Sequence, residues 1–193
     1  MFELADKPLV SAPMSMRVLM LAPPGGGKGT QGKRLAQTLG VEHISSGDLL
    51  RAAVAADTPL GREVDGYLKR GELAPDAIVT EAIRPILATR ENYVLDGFPR
   101  KLSQTEGVDF DVVVYLDVPD EVVTRRLLGR GRADDRADVI AERLRHYEAD
   151  TAPLVDYYER RGVLLRVDGD RPEEEIAAEL AQKVPATGSS STA

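Results

Sequence analysis

Residues 17–39 read RVLMLAPPGGGKGTQGKRLAQTL, and this stretch decides the fold. A continuous apolar run ends in two prolines and three glycines, and a helical pattern begins near Lys28 and Thr30. Continuous apolar runs are typical of strands that are buried on both faces of a parallel sheet. A strand, a glycine-rich loop and a helix in this order predict the first unit of an α/β protein.

The rest of the chain repeats this alternation of apolar runs and helical patterns. The predicted strands are 16–22, 41–45, 93–96, 112–118 and 162–168. The predicted helices are 29–39, 46–56, 60–70, 76–88, 119–128, 137–160 and 172–184. Pro153 is expected to kink or split the sixth of these helices, because proline removes a backbone donor. The alternation predicts a doubly wound α/β sheet.

The length of 193 residues is typical of one domain. We predict a single domain over 16–184, with a disordered extension at 1–15 and a small, polar, disordered tail at 185–193. The segment 46–90 shows helical patterns and no strand, which predicts an insert that lies over the sheet.

Composition narrows the function classes. The net charge of −7 provides no overall field that would attract nucleic acid or an anionic membrane. The chain has no cysteine, so disulfides and thiolate-bound zinc are excluded. No apolar stretch approaches the ~20 residues that cross a bilayer, and the acidic first fifteen residues do not resemble a signal peptide. We therefore expect a cytoplasmic protein.

The glycine loop has the composition of a phosphate-binding loop. Glycines let backbone N–H groups approach a ligand closely, and the start of the next helix adds free N–H groups. Lysine can bridge the outer phosphates. The alternative, a turn without a ligand, is disfavoured by the run Gly25, Gly26, Gly27, Lys28, Gly29 and Thr30.

This loop departs from the generic pattern G-x-x-x-x-G-K-[ST] in two places. Ala22 occupies the first glycine position, and Gly29 stands where the hydroxyl residue is expected, one residue before Thr30. If position 22 requires a positive φ, alanine is expected to strain the loop.

The stretch YVLDGFPR (93–100) brings a second group of polar residues to the same edge of the sheet. Asp96 ends a predicted strand, where one carboxylate suits the water shell of Mg²⁺. Arg100 follows a turn and can bind phosphate through two parallel hydrogen bonds. An Asp-Gly turn without function is the alternative.

In SSGDLLR (45–51), Arg51 is either a second phosphate ligand or a solvated arginine on a capped helix.

Arginines are concentrated in the stretch 125–145. Alone, they are typical of an ion-paired surface, because Asp134, Asp135, Asp138 and Glu142 lie among them. Next to a phosphate-binding loop, an arginine-rich segment with flexible glycines indicates a lid. The arginines are Arg125, Arg126, Arg130, Arg132, Arg136, Arg143 and Arg145.

Taken together, these motifs resemble the adenylate kinase family of nucleoside monophosphate kinases. PPGGGKGTQ, SSGDLLR, LDGFPR, LDVPDE, GRGRADD and TAPLVDYY occur in family order between residues 16 and 184. The resemblance implies a P-loop α/β/α fold with a five-stranded parallel sheet, a helical nucleoside monophosphate-binding segment at 46–90 and a short lid at 129–136. Short-lid members are often monomers.

The resemblance implies the reaction of ATP and AMP to two ADP, with Mg²⁺ and without zinc, for nucleotide homeostasis. Residues implied to be catalytic are Lys28, Arg100, Arg130, Arg132 and Arg143. Residues implied to bind ATP are Gly25, Gly26, Gly27, Lys28, Gly29, Thr30, Arg126, Arg130 and Arg171. Residues implied to bind AMP are Ser46, Arg51, Gly97, Arg100, Gln104, Arg132 and Arg143, and Asp96 is implied to position hydrated Mg²⁺.

Three interpretations remain open at this stage. Ser46 and Gln104 favour AMP as the acceptor, against UMP or CMP. The third interpretation is a module that binds nucleotides without turnover, since Ala22 departs from the motif. The stretch after Arg100 is also shorter than in common bacterial members of the family. This shortening predicts a stunted helix around Gln104. No residue resembles a general base, and His43 and His146 belong to no motif.

Overall fold

The computed structural model describes residues 15–70, 72–131 and 135–188. Within these ranges the strands are β1 (Arg17–Leu21), β2 (Glu42–Ser45), β3 (Tyr93–Asp96), β4 (Val112–Asp117) and β5 (Leu164–Asp168). The helices are α1 (Lys28–Leu39), α2 (Ser46–Ala55), α3 (Pro59–Arg70), α4 (Asp76–Leu87), α5 (Asp120–Arg130), α6 (Ala137–His146), α7 (Pro153–Arg160) and α8 (Glu173–Gly188).

The strands form one parallel sheet in the order β2-β3-β1-β4-β5. The glycine loop therefore leaves the central strand, between the ends of β3 and β4. In open parallel sheets, ligands bind beyond the carboxyl ends of the strands, where the strand order reverses. The predicted α/β fold with five parallel strands is confirmed.

Two apolar layers cover the sheet, as the continuous apolar runs predict. Successive residues of β1 point to opposite faces, so Val18 and Met20 pack with α1, α5 and α8, while Leu19 and Leu21 pack with α2, α3, α4 and α7. Burial on both faces explains why the strand sequences lack polar alternation. The sheet is thus the middle of a three-layer sandwich.

The insert predicted at 46–90 consists of α2, α3 and α4 over its described residues. The N-cap of α2 is Ser45, whose hydroxyl accepts a hydrogen bond from the backbone N–H of Asp48 at 3.3 Å. Gly71, which follows the second insert helix, lies outside the described residues.

The long helix predicted at 137–160 is divided, as Pro153 indicated. A π-helical turn over Tyr147–Thr151 separates α6 from α7, and Pro153 opens α7, where its missing N–H costs no hydrogen bond. Helix α8 continues to Gly188, four residues beyond the predicted end. The extension at 1–14, the lid residues 132–134 and the tail residues 189–193 lie outside the described part.

Across the described residues, no helix combines the length and apolar character needed to cross a membrane.

Candidate active site

A cleft of about 580 Å³ opens where β1 and β3 end and where α1 and α2 begin. All but one of the predicted site residues line it, and the exception, Arg132, lies outside the described residues. The lining residues among them are Gly25, Gly26, Gly27, Lys28, Gly29, Thr30, Ser46, Arg51, Asp96, Gly97, Arg100, Gln104, Arg126, Arg130, Arg143 and Arg171.

The glycine loop is shaped by backbone conformations that favour glycine. Gly25 and Gly27 have φ values of 80° and 94°, and Gly27 is the N-cap of α1. Lys28 folds back over the loop, and its Nζ donates to the carbonyl oxygens of Ala22 at 2.6 Å and Pro23 at 2.9 Å. Burial lowers the pKa of Lys28 to about 7, and the positive charge of Arg100 contributes to this lowering.

Ala22 does not strain the loop, contrary to the expectation from its sequence. The only described residue other than glycine with a positive φ is Asp57, so Ala22 has an ordinary backbone conformation. Its methyl group is buried in the core. A Cβ added at Gly26 would lie 2.8 Å from the Cβ of Ala22, which is too close for two carbon atoms. The loop therefore has room for one methyl group at these two positions.

Asp96 is buried at the floor of the cleft and is held by two neighbours from β2. His43 Nε2 lies 2.8 Å from one carboxylate oxygen, and the Ser45 hydroxyl donates to the other at 2.9 Å. Burial alone would raise the pKa of Asp96, but the hydrogen bonds from His43 and Ser45, with the charge of Lys28, hold this pKa below its usual value.

Sequence reasoning missed the contact of His43 with Asp96 and treated this histidine as an isolated residue. The signal was the parallel pairing of β2 with β3, in which Ser45 is opposite Asp96 and His43 is opposite Val94. Side chains at alternate positions of adjacent strands share one face of the sheet, so this register brings both polar residues of β2 to the carboxylate.

Two arginines predicted for the acceptor phosphate also line the cleft. Arg100 is partly buried, and its Nε donates to the carbonyl oxygen of Gly97 at 2.8 Å. Burial lowers the pKa of Arg100 to about 10, and the charges of Arg143 and Arg51 add to this effect. Arg51 donates to Asp48 at 2.6 Å at the start of α2. Both guanidinium groups carry the forked set of donors that phosphate oxygens accept.

Gly97 provides the space that brings Ser46 and Arg100 together. Its φ is 79°, and an added Cβ would lie 2.5 Å from the Ser46 hydroxyl and 3.2 Å from an Arg100 nitrogen. Gln104 lies in a single 3₁₀ turn, Leu102–Gln104, so the helix there is stunted, as predicted. The turn nevertheless places the buried Gln104 side chain at the cleft.

Arg130 of the predicted lid and Arg143 of α6 share a buried carboxylate. Asp135 accepts from Arg130 at 2.6 and 2.9 Å and from Arg143 at 3.4 Å, and its side chain is 1% exposed. Sequence reasoning treated Asp135 as part of a solvated, ion-paired surface. Its position between two arginines from α5 and α6 could not be read from composition, because it depends on how those helices cross.

Two further arginines lie at the outer end of the cleft. Arg126 donates to the carbonyl oxygen of Gly169 at 3.0 Å and lies 3.7 Å from Asp170. Arg171 forms an ion pair with Glu179 of α8, and its Nε donates to the carbonyl oxygen of Asp168 at 3.3 Å. Both side chains thus meet the chain at the end of β5.

The acidic residues that line the cleft are Asp48, Glu72, Asp76, Asp96 and Glu173. No group of three or more Asp, Glu, His or Cys side chains that could enclose a metal ion is found among the described residues. Asp96 contributes one ionised carboxylate, and each of its oxygens has one protein partner and a remaining lone pair. This donor set fits Mg²⁺, which keeps several waters and uses few protein ligands beside phosphate oxygens.

Comparisons with known proteins agree on one family. Residues 20–163 match the profile of the family described as adenylate kinase. The adenylate kinase of Synechococcus sp. (strain WH7803) is 44% identical over 178 residues, which are 86% of this chain and 97% of the relative. Adenylate kinase 1 of Nostoc sp. (strain PCC 7120) is 45% identical over 176 residues, 85% of this chain and 96% of the relative. An adenylate kinase of Thermus thermophilus is 46% identical over 176 residues, 84% of this chain and 94% of the relative.

Proposed function

The chain belongs to the adenylate kinase family, and on that premise we propose that it transfers the terminal phosphoryl group of ATP directly to AMP, giving two ADP. The observation that supports this most is one cleft in which a glycine loop with a partly buried lysine faces a buried carboxylate and several arginines. A lone phosphate site would not need cations on both sides.

On the donor side, the N–H groups of Gly25 to Thr30 surround the ATP phosphates. Lys28 donates to two loop carbonyl groups, and it exchanges them for phosphate oxygens when ATP binds. Arg126 and Arg171 lie at the far end of the cleft, where they face the adenosine part of ATP. Arg130 reaches the phosphates from the lid.

On the acceptor side, Arg51 and Arg100 bind the AMP phosphate. Arg100 is already oriented by the carbonyl group of Gly97, so little side-chain entropy is lost when the phosphate binds. Gln104 and Ser46 face the acceptor base. Arg132 and Arg143 complete the acceptor group.

Asp96 would hold hydrated Mg²⁺, and His43 and Ser45 keep its carboxylate ionised and oriented. The ion, when bound with ATP, neutralises part of the phosphate charge. ATP carries a charge of ~−4 and AMP of ~−2, so bringing them together is costly without such neutralisation.

The acceptor is an anionic phosphate oxygen, so the reaction needs no general base. Catalysis comes from alignment of the two nucleotides and from stabilisation of the charge on the transferred group. Lys28, Arg100, Arg130, Arg132 and Arg143 supply this charge. Asp135 holds Arg130 and Arg143 together, and closure of the lid at 129–136 excludes water that would otherwise accept the phosphoryl group.

We further propose that the enzyme acts on free nucleotides in the cytoplasm, as a monomer. The net charge of −7 supports small anionic substrates held by a local cationic cleft rather than nucleic acid or membrane. The short lid supports a monomer, and the absence of cysteine supports a lid without zinc.

A coupled assay of ADP production with AMP, UMP, CMP, GMP and dAMP tests this function. We expect AMP to be the preferred acceptor. A strong preference for UMP or CMP would instead identify a pyrimidine monophosphate kinase. Binding of ATP and AMP without ADP formation would identify a module that binds nucleotides and does not turn them over.

A further inference from the structure

The side-chain amide of Gln104 is held at both ends. Its Oε1 accepts a hydrogen bond from the backbone N–H of Arg100 at 2.7 Å, and its Nε2 donates to Oδ1 of Asp76 at 3.1 Å. Gln104 is 5% exposed and belongs to the loop after β3, whereas Asp76 is the first residue of α4 in the insert. The amide therefore links the sheet to the insert at the wall of the cleft.

These two contacts determine which way the amide points. Half a turn about its terminal bond would place Nε2 against the N–H of Arg100 and Oε1 against the carboxylate of Asp76. Both pairs would then repel, because the first would bring two donors together and the second would bring two acceptors together. In the observed orientation, one lone pair of Oε1 and one N–H of Nε2 remain available to a ligand.

The available lone pair of Oε1 and N–H of Nε2 together match one type of purine edge. Adenine offers its 6-amino group as a donor beside N1 as an acceptor, which complements a lone pair beside an N–H. Hypoxanthine offers O6 as an acceptor beside N1–H as a donor, so it complements only the reversed amide. A site built to form hydrogen bonds discriminates strongly against an analogue that leaves its polar groups unpaired.

We propose that Asp76 is a positioning residue that makes the acceptor site selective for 6-amino purines over 6-keto purines, by fixing the orientation of the Gln104 amide. The inference rests on the proposed function, in which Gln104 faces the acceptor base. Asp76 touches no substrate in this scheme and acts only through Gln104.

The surroundings of Asp76 show why a carboxylate is suited to this task. The Ser103 hydroxyl donates to Oδ2 at 3.1 Å, and Lys101 Nζ lies 3.7 Å from Oδ1. Both oxygens thus act as acceptors, and a carboxylate has no donor to offer a reversed amide. Asparagine has the same shape and can present its own NH₂ group to Oε1 of a reversed Gln104.

The test compares Asp76→Asn with Ser103→Ala, which removes the other hydrogen bond to Asp76 and leaves its contact with Gln104. For each variant, kcat/KM is measured with AMP and with IMP at saturating ATP. We expect Asp76→Asn to lower the AMP-to-IMP ratio roughly tenfold, the effect of one charge-assisted hydrogen bond. Ser103→Ala is expected to leave the ratio unchanged. A loss of folded protein cancels from the ratio, because both substrates meet the same folded population.

Gln104→Ala serves as the reference, since it removes the amide that we propose to recognise the acceptor base. If it collapses the ratio while Asp76→Asn leaves the ratio unchanged, the role of Asp76 is wrong and the proposed function stands. An equal loss of selectivity in Asp76→Asn and Ser103→Ala also overturns the role, because it indicates a general loosening of the loop. If the unaltered protein transfers no phosphoryl group to AMP, the proposed function fails, and the inference fails with it.

Discussion

The two sides of the cleft differ in construction. The side that we propose to bind ATP, the donor half, is centred on the backbone of the glycine loop, whereas the side that we propose to bind AMP, the acceptor half, is made of side chains from distant parts of the sequence. In the donor half, Lys28 binds carbonyl groups only six and five residues away. In the acceptor half, Gln104 meets Asp76 across 28 residues, and the carbonyl group of Arg100 accepts from Thr151 across 51 residues. The glycine loop of the donor half is thus a local structure, whereas the acceptor half depends on tertiary contacts.

This difference predicts different responses to substitution. A local loop depends on each backbone position, so a small steric change is expected to damage ATP binding directly. A network of distant side chains spreads its function over several residues, so one substitution is expected to weaken AMP binding while turnover continues. Four measurements can test this contrast.

The largest effect is expected for Lys28→Met. The substitution removes the cation that faces the transferred group, so we expect kcat to fall by about a hundredfold or more. The melting temperature is expected to stay the same or rise, because a partly buried amine is replaced by an apolar chain of similar length. Lys69→Met, which alters an exposed lysine paired with Asp65, is the control. A near-normal kcat in Lys28→Met would contradict the assignment of the loop.

Arg100→Ala is expected to affect the acceptor half selectively. Loss of the partly buried guanidinium that we propose to bind the AMP phosphate should raise the KM for AMP by about a hundredfold, on the order of 3 kcal/mol. The KM for ATP should change much less. Initial rates with each nucleotide varied in turn provide the measurement. Equal changes in both KM values would place Arg100 between the substrates rather than on the acceptor side.

Gly26→Ala tests the steric limit of the donor loop. The added methyl group would lie 2.8 Å from the Cβ of Ala22, so we expect the loop to shift and the KM for ATP to rise by roughly tenfold. The double variant Ala22→Gly with Gly26→Ala restores the total of one methyl group. It is expected to recover part of the lost affinity, because the added Cβ would still lie 3.0 Å from the carbonyl oxygen of Pro23, and a double-mutant cycle measures the coupling. Additive effects would show that the two positions are independent.

The smallest effect is expected from pH. The pKa of Lys28 is about 7 in the free protein, and nearby phosphates favour its charged form, so ATP binding should take up a proton above pH 7. Affinity for ATP should therefore weaken several-fold between about pH 7.5 and pH 8.5. Calorimetry in buffers of different ionisation enthalpy measures the proton uptake. Release of a proton, or the same uptake in Lys28→Met, would contradict this account.

Much of the fold could be predicted from short segments, because the apolar runs of a doubly buried sheet carry a strong signal. The strand positions, the helices between residues 46 and 87 and the division of the long helix before Pro153 are confirmed. The error was local, since α8 extends to Gly188, four residues beyond the predicted end.

The partners of the site residues were harder to predict. His43 belongs to no motif, and the GRGRADD motif that ends at Asp135 does not show which groups this carboxylate contacts, yet one holds Asp96 and the other holds Arg130 and Arg143. The sequence could not decide whether position 22 requires a positive φ, and the folded chain shows that it does not.

Local sequence alone was thus enough to establish the parallel α/β architecture, the phosphate-binding loop and the family resemblance, since these depend on residues that are close together in the chain. Which side chain holds Asp96, and which way the Gln104 amide points, depended on the folded molecule. The physical reason is that these contacts join residues 53 and 28 positions apart, and strand register and the packing of the insert set their distances.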